Sequence, residues 1–232
     1  MIKNTIKTIG IIGGVGPETT SKIYHSIIDT YKRQSDRYPS IVIYNLPFPF
    51  IIENEAIAKG INVHKMLPFL IDGAKILEKS GADFGILPCN TLHKYIKEIR
   101  EAVKIPFLSI LDETVLELIS NKVKTVGVLA TETTVKDRLY DSLLGKNGIN
   151  VLYPTETEQK TINQLILELI NKTKGKCSEQ QMEEICSSLH KKGAGAILLA
   201  CTDLQLAKIN SKIPIFDTTD ILIAASVREL FK

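Results

Sequence analysis

Hydrophobic and polar residues follow two different patterns along this chain. Short apolar runs with the length of β-strands are separated by longer segments in which apolar residues recur every three or four positions, as on one face of a helix. This alternation predicts an α/β fold with mainly parallel open sheets flanked by helices. Strands are expected at 7–13, 41–46, 84–88, 105–109, 124–130, 149–153, 195–200 and 213–216.

The helical segments between these strands each carry one apolar stripe. The stripes consist of Ile23, Ile27, Ile28 and Tyr31; Met66, Leu70, Ala74 and Leu77; Ile162, Leu165, Ile166, Leu169 and Ile170; and Met182, Ile185 and Leu189. Stripes of this width are typical of helices that cover a sheet.

The chain also contains an internal repeat. LEKSGADFGILPCNTL at 77–92 matches LHKKGAGAILLACTDL at 189–204, which aligns Cys89 with Cys201 at a constant offset of 112 residues. Shorter matches follow the same order, TIGIIG with TVGVLA and IPF with IPI. The repeat predicts two similar domains related by pseudo-twofold symmetry.

We expect the first domain to comprise 1–109 plus 216–232, the second to comprise 110–215, and the active site to lie in the cleft between them. The repeated strand that follows each cysteine segment is expected to cross towards the other half. The final helix, 218–231, is expected to pack back on the first domain.

Composition limits the possible functions. The 232 residues are 44% hydrophobic and 24% charged, and the net charge of +3 arises from interspersed charges of both signs, so we expect no nucleic-acid partner. No apolar run reaches the roughly 18 residues that span a bilayer, and the N-terminal segment lacks the pattern of a signal peptide. We therefore expect no membrane partner and a cytoplasmic protein with reduced thiols. Cys177 and Cys186 are interpreted as packing residues.

Cys89 and Cys201 each end a buried strand and precede an expected helix. Ligands of open α/β sheets bind at the carboxyl ends of strands, and a helix N-terminus lowers the pKa of a thiol and attracts carboxylates. Asn90, Thr91 and Thr202 add side-chain donors beside the thiols. Either cysteine alone would be read as a core residue, but their matched placement favours a site with two opposed thiols. Such a pair suits a reaction that removes a proton from one side of a carbon and returns one to the other.

A glycine-rich turn follows the first strand. Gly13, Gly14 and Gly16 in GIIGGVGPETT allow the backbone to approach a ligand closely. A nicotinamide site is disfavoured, because Thr19 stands where the third glycine of that fingerprint should be and the second strand lacks the acidic residue that holds a ribose. We expect the turn to bind a small carboxylate, although a tight turn without a ligand remains open. Thr131 of TETT occupies the equivalent turn of the second half and is expected to serve the same end.

His93 stands four residues after Cys89, while Gln205 takes its place in the second half. The spacing permits a cysteine–histidine dyad, but we expect His93 to form a local hydrogen bond that positions the Cys89 loop. Neither metal-ligand spacing nor a phosphate-binding loop occurs, so neither a metal nor a cofactor is expected.

The motifs GGVGPETT, PCNTLH and ACTDL resemble the glycine loop and the two cysteine motifs of the aspartate/glutamate racemase family, over nearly the whole chain. The resemblance implies a two-domain α/β enzyme, a homodimer, that racemises an amino acid without pyridoxal phosphate or metal. It implies that Cys89 and Cys201 are the paired acid and base. It also implies that Asn90, Thr91 and Thr202 hold the α-carboxylate and that the Gly13–Gly14 loop lines the site.

The substrate is less clearly implied than the reaction. Aspartate-specific members carry an arginine or glutamine after the second strand, where this chain has the apolar stretch Pro47–Ile52. A lysine of the family corresponds to either Lys172 or Lys174, and Lys174 is taken as a substrate-binding residue. Aspartate or glutamate is the leading prediction. A broad-specificity racemase of neutral amino acids, a one-cysteine decarboxylase or isomerase, and a non-catalytic carboxylate-binding protein remain alternatives.

Overall fold

Two parallel sheets of four strands each form the frame of the molecule. The computed structural model describes residues 6–53, 55, 60–173, 175 and 177–232. The first sheet has the strand order β2-β1-β3-β4 and the second β6-β5-β7-β8. The strands are β1 Thr8–Gly13, β2 Ser40–Asn45, β3 Phe84–Ile86, β4 Phe107–Leu108, β5 Thr125–Ala130, β6 Asn150–Leu152, β7 Ala196–Ala200 and β8 Ile215–Asp217. The α/β class and the duplicated architecture predicted from the sequence are confirmed.

Helices connect these strands and cover both sheets. They are α1 Pro17–Lys32, α2 Phe50–Glu53, α3 Leu67–Lys79, α4 Ile96–Ala102, α5 Ile110–Ser120, α6 Glu132–Lys136, α7 Asp141–Lys146, α8 Glu156–Asn171, α9 Glu179–Lys191 and α10 Thr218–Leu230, with 3-10 turns at Val63–Met66, Thr91–Tyr95 and Thr202–Leu206. Within the part of the chain that the structure describes, no helix is long and apolar enough to cross a membrane.

Burial explains why the central strands are apolar throughout. All five residues of β7 are buried, as are five of the six in β1 and in β5. A parallel strand covered on both faces needs a continuous hydrophobic run. The helices are defined by local signals as well, because Thr155 with Glu158 and Ser178 with Gln181 form capping boxes at the starts of α8 and α9.

The two repeated strands after the cysteine segments do not cross between the halves, so that prediction was wrong. β4 pairs with β3 and β8 pairs with β7, each extending its own sheet and satisfying its backbone hydrogen bonds there. Both strands are shorter than expected, since Pro106 and Pro214 precede them and cannot donate to a ladder.

The crossing is made by the helices that follow these strands. α10 leaves the second sheet and contacts α1 and β1 of the first half, which confirms the predicted packing of the final helix. α5 leaves the first sheet and contacts α7 of the second half, and α5 and α10 also pack on each other. One hydrophobic core therefore runs through both halves, joining Ile11, Val128 and Leu222.

The predicted division into 1–109 plus 216–232 and 110–215 stays a prediction about domains. α5 and α10 fall in the halves that they contact, while Phe216 and Asp217 pair within the second sheet. The exchange of helices holds the carboxyl ends of β3 and β7 in a fixed relation, and the candidate site lies there.

Candidate active site

The two repeated cysteines line one small cavity between the halves. Cys89 follows β3 and Cys201 follows β7, and their exposed fractions are 6% and 5%. The cavity, called here the thiol cavity, is also lined by Val15, Gly16, Asn90, Thr91, Thr202 and Asp203. Its volume of about 10 Å³ is too small for an amino acid, so a substrate enters only if the cavity walls move apart.

Neither thiol is followed directly by an α-helix, contrary to the expectation from the sequence. Cys89 precedes the 3-10 turn Thr91–Tyr95, and Cys201 precedes the 3-10 turn Thr202–Leu206. The polar side chains in these turns bond to other elements and so compete with regular helical geometry. The helix dipole is consequently a weaker influence on the thiols than the sequence suggested.

The side chain two residues after each of the two cysteines reaches across the cleft. Thr91 Oγ1 lies 2.8 Å from Thr131 Oγ1 and 3.1 Å from Thr134 Oγ1, at the start of α6. At the equivalent place in the other half, Asp203 Oδ1 accepts a 2.8 Å hydrogen bond from Thr19 Oγ1 in the first turn of α1. The two contacts are related by the internal repeat, but one involves a neutral hydroxyl and the other a carboxylate.

Asn90 belongs to a buried chain of hydrogen bonds. Its Oδ1 accepts a bond of 2.5 Å from the hydroxyl of Tyr140, and its Nδ2 donates to Thr218 Oγ1 at 2.9 Å. Thr218 Oγ1 in turn donates to the carbonyl of Leu199, near the second thiol. Burial raises the pKa of Tyr140, which therefore remains a protonated donor. The amide is thus held at its oxygen and at its nitrogen, beside the thiol cavity that Asn90 lines.

The hydroxyl of Thr202 also forms a hydrogen bond within the protein. Its Oγ1 donates to the carbonyl of Pro88, immediately before the first thiol, at 3.1 Å. This bond ties the second cysteine motif to the first. The roles predicted for Asn90, Thr91 and Thr202 towards a substrate stay predictions.

His93 does not form a dyad with Cys89. Its Nε2 accepts from the backbone N–H of Ile110 at 3.0 Å, so Nδ1 carries the proton and donates to the carbonyl of Cys89 at 2.7 Å. Burial lowers the pKa of His93 to about 4, partly offset by the bond to that carbonyl. The predicted positioning role is confirmed, because the imidazole holds the Cys89 loop against the start of α5.

Cys201 is held as a thiol by its surroundings. Burial is the largest cause that raises its pKa well above the usual value, and the Asp203 carboxylate is the second. The Sγ atom donates weakly towards Asp203 Oδ2 at 4.0 Å. Burial raises the pKa of Asp203 as well, while the bond from Thr19 lowers it. Cys89 also raises the pKa of Cys201, so the two thiols are close enough to interact.

The glycine turn uses backbone groups of Gly13 and Gly14 to hold itself, and the role predicted for these two glycines towards a substrate stays a prediction. The N–H of Gly14 donates to Thr20 Oγ1, and the carbonyl of Gly13 accepts from Leu46, so both groups serve the turn itself. Gly16 is the glycine that faces the thiol cavity. It has a φ of 74°, and a Cβ atom there would lie 2.8 Å from Asp203 Oδ1. Glycine at this position therefore makes room for the carboxylate.

A larger opening, called here the side cleft, adjoins the thiol cavity and shares Gly16 and Asp203 with it. Its volume is about 470 Å³. Among its lining residues in the described chain, eight have apolar side chains, two are carboxylates, two are amides and none is cationic. The apolar ones are Pro17, Leu46, Pro47, Phe48, Phe50, Leu169, Ile170 and Leu206.

Of the two lysines considered as partners for a substrate carboxylate, the structure describes only Lys172. Lys172 caps α8 and forms an ion pair of 2.5 Å with Glu18 at the rim of the side cleft, which lowers the pKa of Glu18. Lys174 lies outside the described residues.

The remaining cysteines lie away from the cavity. Cys186 is buried in α9, and burial raises its pKa to about 11. Cys177 donates to the carbonyl of Thr161 at 3.3 Å. Across the described ranges, no group of three or more histidine, cysteine or carboxylate side chains is arranged to hold a metal ion.

Sequence reasoning missed several residues of the site. Thr19 and Thr134 follow the two turns that it did identify, so their position was a usable signal. Asp203 was noticed as a motif residue but given no role. Tyr140 and Thr218 come from distant segments, and no pattern in the sequence links them to Asn90.

Comparison with known proteins agrees with this geometry. Residues 12–226 match the model of the Asp/Glu/Hydantoin racemase family. The chain belongs to this family. It is therefore an enzyme of the racemase type, an isomerase. Over 229 residues it is 36% identical to the broad specificity amino-acid racemase RacX of Bacillus subtilis (strain 168), covering 94% of this chain and 96% of the relative.

Solved structures of the family share the fold. The Picrophilus torridus aspartate racemase superposes with a TM-score of 0.79 at 29% identity, over 97% of this chain and 95% of that one. An unliganded arylmalonate decarboxylase superposes with a TM-score of 0.56 at 13% identity, over 97% and 92% of the two chains, which indicates a shared fold alone.

Proposed function

We propose that this racemase interconverts the enantiomers of an amino acid with Cys89 and Cys201 as opposed acid and base, without pyridoxal phosphate. The observation that carries the proposal is the meeting of both repeated thiols in one buried cavity at the carboxyl ends of β3 and β7. A one-cysteine decarboxylase or isomerase would not need the second thiol at the equivalent position.

The reaction requires one thiolate and one thiol. The thiolate takes the α-proton from one face of the substrate, which leaves the electron pair on the α-carbon. The thiol on the opposite face then delivers its proton to that carbon and becomes the thiolate. Before the next turnover in the same direction, the cysteine that took the α-proton must lose it again, and the cysteine that delivered a proton must regain one. The pair titrates as a unit, since two close thiolates repel each other.

The α-proton of an amino acid is a weak acid, so the site must stabilise the negative charge that spreads onto the substrate carboxylate. The second N–H of Asn90 and the hydroxyl of Thr91 are donors placed around the thiols, and the hydroxyl of Thr202 would join them only by leaving its bond to the carbonyl of Pro88. A donor aimed at such developing charge is typically worth about 3–4 kcal/mol. These residues would act most strongly once the cavity has closed around the substrate and excluded water.

For the substrate we propose an amino acid with an uncharged side chain, taken with broad specificity. The side cleft offers mainly apolar walls, the carboxylates Glu18 and Asp203 and the amides of Asn45 and Asn171. The carboxylate of aspartate or glutamate would therefore be buried there without a cationic partner. Lys172 is already paired with Glu18. The Bacillus subtilis relative, a broad specificity amino-acid racemase, supports the broad specificity.

We also propose that the enzyme works in the cytoplasm as a homodimer, without nucleic-acid or membrane partners. The expectation of reduced thiols and the resemblance to a family of dimers support this. Sedimentation velocity of the purified protein tests the assembly, and a monomer across the working concentration range would rule out the dimer.

The test of the reaction uses purified protein incubated in D₂O with each enantiomer of methionine, leucine and aspartate. Racemisation with deuterium at the α-carbon of the product is expected, faster for methionine or leucine than for aspartate. Cys89→Ala and Cys201→Ala should each fold and lose turnover by several orders of magnitude. Near-native racemisation by either variant would exclude the two-thiol reaction. Preference for aspartate, abolished by Lys172→Ala, would overturn the proposed substrate class.

A further inference from the structure

The two thiols occupy equivalent positions but unequal surroundings. The residue two places after Cys89 is Thr91, and the residue two places after Cys201 is Asp203. Both side chains cross the cleft to threonines in the first turn of a helix in the other half. Only the second thiol therefore has a carboxylate next to it.

Asp203 is held in a fixed orientation towards that thiol. Its Oδ1 is bound by Thr19 at 2.8 Å, and its Oδ2 lies 4.0 Å from the Sγ atom of Cys201. The side chain is 8% exposed, and Gly16 leaves space for it that any other residue would fill. The weak S–H···O contact requires a proton on Cys201, and an ionised Asp203 accepts it more strongly than a neutral one.

The other charges around the pair do not cancel this effect. Glu18 is the nearest further carboxylate, and it is paired with Lys172 at the rim. Within the described residues Asp203 takes part in no ion pair. On the opposite side stand Cys89 and the neutral His93, whose nitrogens are both engaged with backbone groups. A proton removed from Cys201 would leave an anion beside the Asp203 carboxylate in a buried site.

We propose that Asp203 is a positioning residue that keeps the proton on Cys201, so that the resting enzyme carries its single thiolate on Cys89. This inference rests on the two-thiol reaction proposed above. The enantiomer whose α-proton faces Cys89 meets the enzyme in its resting form. The other enantiomer requires the proton to pass first from Cys201 to the thiolate of Cys89, which gives the less populated form of the enzyme.

This inequality has a kinetic consequence. Racemisation has an equilibrium constant of one, so kcat/KM must be equal for the two enantiomers whatever Asp203 does. The difference appears in kcat and KM separately, and both are larger for the enantiomer that needs the Cys201 thiolate. Asp203→Asn should bring the two KM values together, and the two kcat values with them.

The direct test measures the reactivity of the two thiols in the absence of substrate, so its result does not depend on racemase activity. The wild type and Asp203→Asn are treated with iodoacetamide at a series of pH values, and the modified cysteines are quantified by peptide mass spectrometry. Cys89 and Cys201 are almost equally buried, so unequal rates report thiolate content. In the wild type, Cys89 should react first. In Asp203→Asn the ratio of the two rates should fall by at least about tenfold, the equivalent of one pKa unit.

Three controls separate charge from structure. Thr19→Val removes the bond to Asp203 but keeps the carboxylate, so Cys89 should still react first. Asp203→Glu also keeps the charge and should behave in the same way, even if the asparagine variant folds poorly. The exchange Thr91→Asp with Asp203→Asn moves the carboxylate to the other thiol and should make Cys201 react first. A wild type in which Cys201 reacts first, or an unchanged ratio in folded Asp203→Asn, would overturn the proposal.

Discussion

The hydroxyl of Tyr140 offers a sharp test of how the first thiol is held. Tyr140 is fully buried, and its hydroxyl donates to Asn90 Oδ1, while Asn90 Nδ2 donates to Thr218. Tyr140→Phe keeps the ring and its packing in the common core but removes this donor. The carbonyl oxygen of Asn90, a residue that is 1% exposed, is left without its partner.

The size of the expected stability loss follows from the unpaired Oδ1 atom of Asn90. A buried acceptor that loses its donor costs about 1–3 kcal/mol, because water cannot replace the bond. We expect the free energy of unfolding to fall by that amount. The freed amide also lies next to Cys89, so kcat/KM should fall about tenfold to a hundredfold, as each 1.4 kcal/mol lost from the transition state is one factor of ten.

The assay combines urea unfolding with racemisation kinetics. Tyr153→Phe is the matched control, since its half-buried hydroxyl donates to Asp141 and has no contact with the thiol cavity. The control is expected to lose stability but keep its kcat/KM. A double-mutant cycle with Asn90→Ala should show strong coupling to Tyr140. Stability and activity of Tyr140→Phe within about 0.5 kcal/mol of the wild type would refute the reasoning.

Three further predictions follow from local features. His93 has a pKa of about 4 when folded and near 6.5 when unfolded. Its contribution to the free energy of unfolding should therefore be full above pH 6.5, fall progressively by about 3 kcal/mol between pH 6.5 and 4, and be lost below pH 4. Urea titrations should show this loss, and His93→Gln should flatten it. Gly85→Ala places a Cβ 2.3 Å from the ring of Phe107 and should destabilise by more than about 1 kcal/mol, whereas Gly145→Ala, in a helix with open space, should be neutral or stabilising by up to about 1 kcal/mol in thermal unfolding. Dialysis against a chelator and assay without pyridoxal phosphate should leave the racemisation rate unchanged, and a rate restored only by an added cofactor would contradict this.

The fold was predictable because its determinants are local and repeated. The apolar runs of β1, β5 and β7 are continuous, which is what strands covered on both faces require. The internal repeat then indicated a second copy of the same sheet, and the placement of Cys89 and Cys201 at strand ends indicated a shared site. These features depend on residues close together in the sequence or on a constant offset.

The path of the chain between the halves was not predictable from such patterns. All eight predicted strands are present, several of them shorter than predicted, yet the crossing was assigned to β4 and β8 when α5 and α10 make it. An apolar stripe shows that a helix will be buried but not against which sheet. That choice depends on which surface remains uncovered once both sheets have formed.

The sequence by itself determined the fold class, the repeat and the pair of thiols, because periodicity and spacing report backbone structure directly. Only the tertiary structure decided that Tyr140 holds Asn90, that His93 accepts from the backbone N–H of Ile110, and that Asp203 lies beside Cys201. Hydrogen bonds and charge interactions act over a few ångströms. They join side chains that are distant in the sequence, so they exist only after packing has brought the two halves together.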